Sequence, residues 1–245
     1  MLFDLSGRRA LVTGAGQNVG AGIAAALAGQ GAFVAVTDLH RDRAEEVAGR
    51  IVGAGGEAVA LALDVTDPES VAHAVAQVDP VDILVNNAGI PEGAMTPTPF
   101  RTMEPAAWDA AIRVNLYGVL HCCHAVINGM CDRGWGRIIT ISSGAGTRGV
   151  NIGVSPYSAG KGGGISFTRT LALEVARSGV TANTLALGVI GTIDSQVNQQ
   201  LTRAIPVGRT GTPEDVAAAC VWLGSNEASW VTGQTIEING GALTT

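Results

Sequence analysis

Short apolar runs alternate with longer stretches of helical periodicity through most of the chain. Arg9–Thr13, Phe33–Thr37, Ala58–Leu63, Val81–Asn86, Gly136–Ser143, Val180–Leu185 and Gln234–Ile238 read as strands. Val19–Gln30, Arg41–Val52, Pro68–Val78, Pro105–Met130 and Pro156–Arg177 read as helices. The strand runs are apolar at nearly every position, without the alternation of a sheet that has one wet face. They therefore predict a parallel sheet covered by helices on both faces. The regular strand–helix order predicts one α/β domain over residues 1–245, a doubly wound parallel sheet of about seven strands. No repeat, low-complexity tract or long linker interrupts it.

Composition supports that architecture. The chain is 47% hydrophobic and 15% charged, with 34 glycines, which suits a buried sheet with tight turns. A formal charge of −6 gives no basic footprint for nucleic acid. No apolar run is expected to reach membrane-spanning length, and Met1-Leu2-Phe3-Asp4 leads into a strand pattern without a signal peptide, so a cytoplasmic location is expected. Cys122, Cys123, Cys131 and Cys220 form no C-x-x-C pair. His121 and His124 lie on the long helix without a carboxylate cluster, and no metal site is expected.

In doubly wound sheets, ligands bind outside the carboxyl ends of the strands. Chemistry-bearing residues gather there from independent segments: Gly14 after the first strand, Asp38 at the second, Asp64 at the third, Asn86 at the fourth and Ser143 at the fifth. Thr13-Gly14-Ala15-Gly16-Gln17-Asn18-Val19-Gly20 joins a strand to a helix. Its glycines would let backbone approach a pyrophosphate, and the helix N-terminus supplies amides and positive potential. Asp38 either accepts both hydroxyls of an adenosine ribose, repelling a 2′-phosphate, or caps the second helix; Arg41 and Arg43 lie nearby. Asp64-Val65 either brackets an adenine or serves the helix that opens near Asp67-Pro68. Tyr157 and Lys161 are four residues apart, one turn of a helix that Ser155 can cap and Pro156 can open. A nearby cation and the positive helix end would favour a phenolate, whose ordinary pKa is about 10.

Together these segments resemble the short-chain dehydrogenase/reductase family over almost the whole chain. The resemblance rests on Thr13–Gly20, Asp64-Val65, Asn86-Asn87-Ala88-Gly89, Asn115 in Val114-Asn115-Leu116-Tyr117-Gly118, Ser143, Tyr157-Ser158-Ala159-Gly160-Lys161 and Thr232–Gly241. It implies a Rossmann-type fold and a catalytic tetrad of Asn115, Ser143, Tyr157 and Lys161. Hydride would pass between a nicotinamide and a carbonyl or alcohol carbon. Tyr157 would transfer the proton, Ser143 would orient the substrate oxygen, Lys161 would tune Tyr157 and hold the nicotinamide ribose, and Asn115 would hold a water. The cofactor site implied comprises Gly14, Gln17, Asn18, Val19, Asp38, Leu39, Asp64, Val65, Asn87, Ala88, Gly89, Tyr157, Lys161, Gly188, Ile190 and Thr192. Asp38 favours NAD over NADP. Two positions depart from the family pattern: Asn18 stands where the turn has its middle glycine, and Leu187 stands where a proline precedes Gly188. Asn tolerates a left-handed backbone, so the turn is expected to survive.

The substrate pocket is expected to use Ser143, Ala145, Asn151, Tyr157, Val189 and parts of the Ile90–Met95 loop, which includes Glu92, beneath a lid at 190–208. Gly160, Gly162, Gly163 and Gly164 each lower helix stability by about 1 kcal/mol relative to Ala, which suggests close packing against a helix or cofactor. The family's habit implies a homo-oligomer, most simply a tetramer. The function expected is NAD(H)-dependent alcohol dehydrogenase or ketone reductase on a small molecule. The alternatives are a 3-oxoacyl-thioester reductase, and a lyase or dehalogenase that uses no nicotinamide.

Overall fold

The computed structural model describes residues 2–90, 96–191 and 202–243. Its centre is a seven-stranded sheet. The strands are β1 (Arg9–Val12), β2 (Phe33–Asp38), β3 (Glu57–Ala62), β4 (Ile83–Asn86), β5 (Gly136–Ser143), β6 (Val180–Leu187) and β7 (Thr235–Ile238). They run parallel in the order β3-β2-β1-β4-β5-β6-β7. The direction of winding reverses between β1 and β4, which opens a crevice at their carboxyl ends. This is the doubly wound sheet that the apolar strand runs predict.

The helices are α1 (Asn18–Gly29), α2 (Arg41–Gly53), α3 (Pro68–Val78), α4 (Ala106–Ile112), α5 (Gly118–Arg133), α6 (Gly144–Thr147), α7 (Ser155–Val175) and α8 (Pro213–Gly224). One face of the sheet packs Val12, Val34, Val36, Ile83, Val85 and Leu185 against Ile23, Leu27, Val47, Ile51 and Leu223. The other packs Leu11, Leu84, Ile138 and Ala182 against Val71, Val119, Cys122, Val126, Met130 and Leu171. Burial pushes the thiols of Cys122, Cys123 and Cys220 well above their ordinary range, so they behave as small apolar groups.

The long helix predicted over Pro105–Met130 is α4 and α5 joined by one π-helical turn, Arg113–Tyr117. The stretch Ala106–Arg133 has the length and apolar character of a membrane span by composition, which the sequence reading did not anticipate. Here Val119, Cys122, Cys123, Val126 and Met130 instead pack in the core of the domain. β6 extends two residues beyond its predicted end, and Leu187 pairs with both Ser143 and Ile238. The residue replacing the family proline thus continues the strand.

Pattern reading missed α8. Its opening is Thr212-Pro213-Glu214-Asp215, a capping box: Thr212 Oγ1 accepts from the Asp215 amide (3.4 Å) and Asp215 Oδ2 accepts from the Thr212 amide (2.8 Å). The signal was present in the sequence, but α8 is apolar nearly all round and shows little periodicity. It lies against α1, so close that a Cβ on Gly22 would come 2.6 Å from Pro213 Cβ. Arg209 clamps Asp215 from outside (2.5 and 2.8 Å) and holds that carboxyl well below its ordinary range. Thr212→Ala should lower stability by about 1 kcal/mol. Thermal melting should show a drop of roughly 2–4 °C; an unchanged melting temperature would mean that the box contributes nothing.

Candidate active site

The crevice is built first by a tie across the winding reversal. Asn87 Nδ2 donates to both Thr13 O and Gly14 O (2.9 Å each), and the Asn87 and Ala88 amides donate to Thr13 Oγ1 (3.0 Å each). These bonds set the glycine turn against the end of β4. Within the turn, Gly14 has φ +60° and Asn18 has φ +46°, so Asn18 adopts the left-handed backbone expected of it. Gln17 caps α1 through its backbone alone, with no acidic residue in the first turn. An uncapped helix N-terminus beside glycines is the arrangement that accepts a pyrophosphate. A Cβ on Gly16 would lie 2.7 Å from Asp38 Oδ2 and 2.6 Å from Arg43 Cβ.

Asp38 is buried at the end of β2. Its Oδ2 accepts the Gly16 amide (3.0 Å) and its Oδ1 the His40 amide (3.1 Å). It therefore braces the turn and leads the chain into α2, while Leu39 beside it is exposed. Asp64 Oδ1 takes the amide and hydroxyl of Thr66 (2.8 Å each), and the α3 cap is Asp67. Val65 is buried, and its carbonyl lies 3.0 Å from His121 Nδ1.

On the other side of the crevice, α7 is fastened to β5. Ser142 Oγ donates to Lys161 O (3.3 Å), and the hydroxyls of Thr140 and Thr168 share a bond of 2.9 Å. The glycine run of α7 follows from packing within the chain. A Cβ on Gly160 would meet Asn115 Cβ at 2.9 Å and Ala111 O at 3.1 Å, and one on Gly163 would meet Leu116 at 3.2 Å. The π turn carrying Asn115 thus fits directly against the helix carrying Tyr157 and Lys161. The cap of α7 is Val154, not Ser155, and no side chain bonds to the helix end. Val154 is buried beneath the start of the helix, which begins one residue earlier than the Ser-Pro signal suggests; Tyr157 remains in its first turn.

Ser143 ends β5 and accepts the Ala145 amide (3.2 Å). Burial raises Tyr157 above its ordinary range, and the Ser143 hydroxyl, which favours the phenolate, partly opposes this. The depressed phenol expected from the helix end and Lys161 is absent for a geometric reason. Lys161 Nζ donates to Ile141 O (2.7 Å) and lies 5.8 Å from the Tyr157 ring centre. Burial pushes the lysine ammonium itself down to about 8. Asn115 is buried; its Nδ2 donates to Ala111 O (2.9 Å), but its Oδ1 has no partner. Gly89 faces that oxygen and Lys161 Nζ at once: a Cβ there would lie 3.0 Å from the first and 2.5 Å from the second.

Gly188 is pinned by its amide to Ile238 O (2.9 Å), and Ile190 bridges to Gly211. Thr192 and Glu92 lie outside the described residues, as does the lid from 192 to 201. A cavity of about 320 Å³ opens beside Tyr157, walled by Thr96, Thr98, Met103, Ala107, Ala110, Ala111, Gly153, Val154 and Pro156. Of the expected substrate residues that lie among the described ones, only Tyr157 is among its walls. Asn151 is exposed on the loop before α7, and Ser143, Ala145 and Val189 are not among the walls. The α4 wall was missed because its alanines read as ordinary helix formers.

A family model described as enoyl-(acyl carrier protein) reductase matches residues 14–243. The chain is 41% identical over 244 residues to the acetoacetyl-CoA reductase of Shinella zoogloeoides, covering 96% of this chain and 98% of that one. It belongs to the short-chain dehydrogenase/reductase family. It is an oxidoreductase of that family. Among solved structures, a 3-oxoacyl-[acyl-carrier protein] reductase with bound NAD from Brucella melitensis matches with a TM-score of 0.93 at 33% identity, covering 99% of this chain and 94% of that one. A gluconate 5-dehydrogenase from Burkholderia cenocepacia, in complex with NADP and tartrate, matches with a TM-score of 0.90 at 35% identity, covering 98% and 96%.

Gly89→Ala should force Lys161 Nζ off its place above the crevice. Displacements of this order typically lower turnover about a hundredfold. Oxidoreductase turnover by a variant with a wild-type melting curve tests this, and wild-type rates would show that the space above Gly89 is not needed.

Proposed function

We propose that this family member interconverts a ketone and a secondary alcohol with a nicotinamide cofactor, and that NAD is the preferred form. The observation that carries this reading is the convergence of Ser143, Tyr157 and Lys161 on the crevice whose opposite wall is the uncapped α1 turn. The glycine turn and α1 amides would hold the pyrophosphate, Asp38 the adenosine ribose, Asp64 and Val65 the adenine, and Lys161 the nicotinamide ribose. Gly188 and Ile190 would border the carboxamide end. When bound, the nicotinamide supplies or accepts the hydride at the substrate carbon.

The protein's own residues handle the oxygen and its proton. Ser143 hydrogen-bonds the carbonyl oxygen and steadies the charge that develops on it. Tyr157 gives that oxygen its proton in reduction and takes it back in oxidation. A phenol raised by burial stays protonated at neutral pH, which suits ketone reduction. The unpartnered Asn115 Oδ1 and Lys161 Nζ flank one small space above Gly89, well placed to hold a water that resupplies the proton. Asp38 at the end of β2 would repel a 2′-phosphate, which supports NAD; Arg43 packs near the same turn and is the residue a phosphate would approach.

The acetoacetyl-CoA reductase relative, similar over nearly its whole length, supports 3-oxoacyl thioesters as the ketone class. A homo-oligomer is in keeping with the exposed Tyr117 and Leu173 on the π turn and α7.

Turnover of ketones with NADH, followed by nicotinamide absorbance, tests the reading. Tyr157→Phe should cut kcat by about 10²–10⁴ while nicotinamide binding by calorimetry stays near wild type; wild-type turnover by that variant would sink the assignment. Asp38→Asn should raise the NADPH/NADH ratio of kcat/KM about tenfold by removing like-charge repulsion. An unmoved ratio would show that Asp38 does not choose the cofactor. The value of kcat/KM for reduction reports the free enzyme. It should hold through neutral pH and decline above pH about 8, where Lys161 loses its proton. A profile flat well beyond that value would exclude a role for the ammonium.

A further inference from the structure

The cavity beside Tyr157 has a composition that selects its occupant. Ala107, Ala110 and Ala111 fall at i, i+3 and i+4 on α4 and present one small-residue face. Ala107 is exposed at the mouth, whereas Ala111, Val154 and Pro156 are buried at the floor. Among the described residues, no Asp, Glu, Lys, Arg or His stands among the walls. The hydroxyl of Thr98 donates to Thr96 O (3.1 Å). The rim is held by the Thr98 amide, which donates to Gly153 O (2.9 Å). Gly153 has φ +71°, and a Cβ there would come 2.8 Å from Thr98 N, so the close approach of the two segments depends on glycine.

Resting on the function proposed above, we propose that this cavity takes the alkyl arm of the ketone, making the enzyme selective for substrates with an uncharged apolar chain on one side of the carbonyl. Tyr157 is a wall of the cavity, and the proposal directs one substituent of a carbonyl held at its hydroxyl into that space. A volume of about 320 Å³ holds an arm of several carbons, since a water occupies about 30 Å³ of liquid. A charged or polyhydroxylated arm would lose hydrogen bonds to water and find few partners there.

A series of straight-chain 2-alkanones, from butanone to 2-decanone, reduced with NADH tests the assignment. Wild-type kcat/KM should climb about fourfold per buried methylene, the equivalent of about 0.8 kcal/mol each, until the cavity is full. Ala110→Leu, inside the cavity, and Ala107→Leu, at its mouth, retain a good helix former. Each should lower the long-to-short ratio of kcat/KM about tenfold or more, through KM, with calorimetric nicotinamide binding showing that the variants fold. An unchanged ratio in folded variants, or a wild-type preference for polyhydroxylated ketones, overturns the cavity assignment and leaves the ketone chemistry standing. A wild type that turns over no ketone with either nicotinamide overturns the functional reading itself.

Discussion

The bonds from Asn87 and Ala88 to Thr13 and Gly14 are the constraint on which the crevice depends. A doubly wound sheet separates its two halves at β1 and β4, and nothing in strand pairing beyond those strands holds the following loops together. Here one amide side chain satisfies the carbonyls of Thr13 and Gly14, and one hydroxyl satisfies two amides of the opposing loop. The backbone polar groups at the base of the crevice are thus paired within the protein. That leaves the α1 end, which no side chain caps, as the group in search of an anion. Asn87 therefore acts as a strut for the cofactor turn, with both its amide hydrogens already engaged.

The far wall is set by a second constraint, the burial of Lys161. A fully enclosed ammonium is unfavourable unless hydrogen-bonded, and the carbonyl of Ile141 supplies one bond at 2.7 Å. The same burial that lowers Lys161 raises Tyr157, so the two pKa values move apart, the ammonium falling below the phenol. A pair four residues apart on a helix does not settle this: adjacency suggests that the cation depresses the phenol, whereas the observed geometry directs the cation to a strand carbonyl. Desolvation then dominates at both groups.

Much of this was legible in the sequence because the signals were local or periodic. Apolar strand runs gave the sheet, and residues at strand ends gave the crevice. The left-handed tendency of Asn gave the turn at Asn18, which the backbone adopts at φ +46°. What escaped reading depended on partners distant in sequence. The cap of α7 moved to Val154 because tertiary burial decides where that helix begins. The helix at Pro213–Gly224 was missed, although Thr212-Pro213-Glu214-Asp215 spelled its start, because an all-round apolar helix shows no period. The cavity walls were invisible for a related reason: Ala107, Ala110 and Ala111 matter for the volume they leave empty, and a sequence shows only what is present.

The glycines of α7 and the alanines of α4 then belong to one arrangement. Gly160 lets α7 approach so closely that only backbone and Asn115 Cβ fit between the helices, which fixes α4 relative to Tyr157. With that distance set, the side chains on α4 determine how much room remains at its other edge. Large residues there would close the cavity; small ones keep it open without loosening the contact, because the close packing is made at Ala111 and Asn115 and the opening is made at Ala107 and Ala110. The position of the proton donor and the shape of the space beside it are therefore set by different residues of α4 and the π turn that continues it. Substrate choice can change along α4 while the geometry at Tyr157 stays fixed.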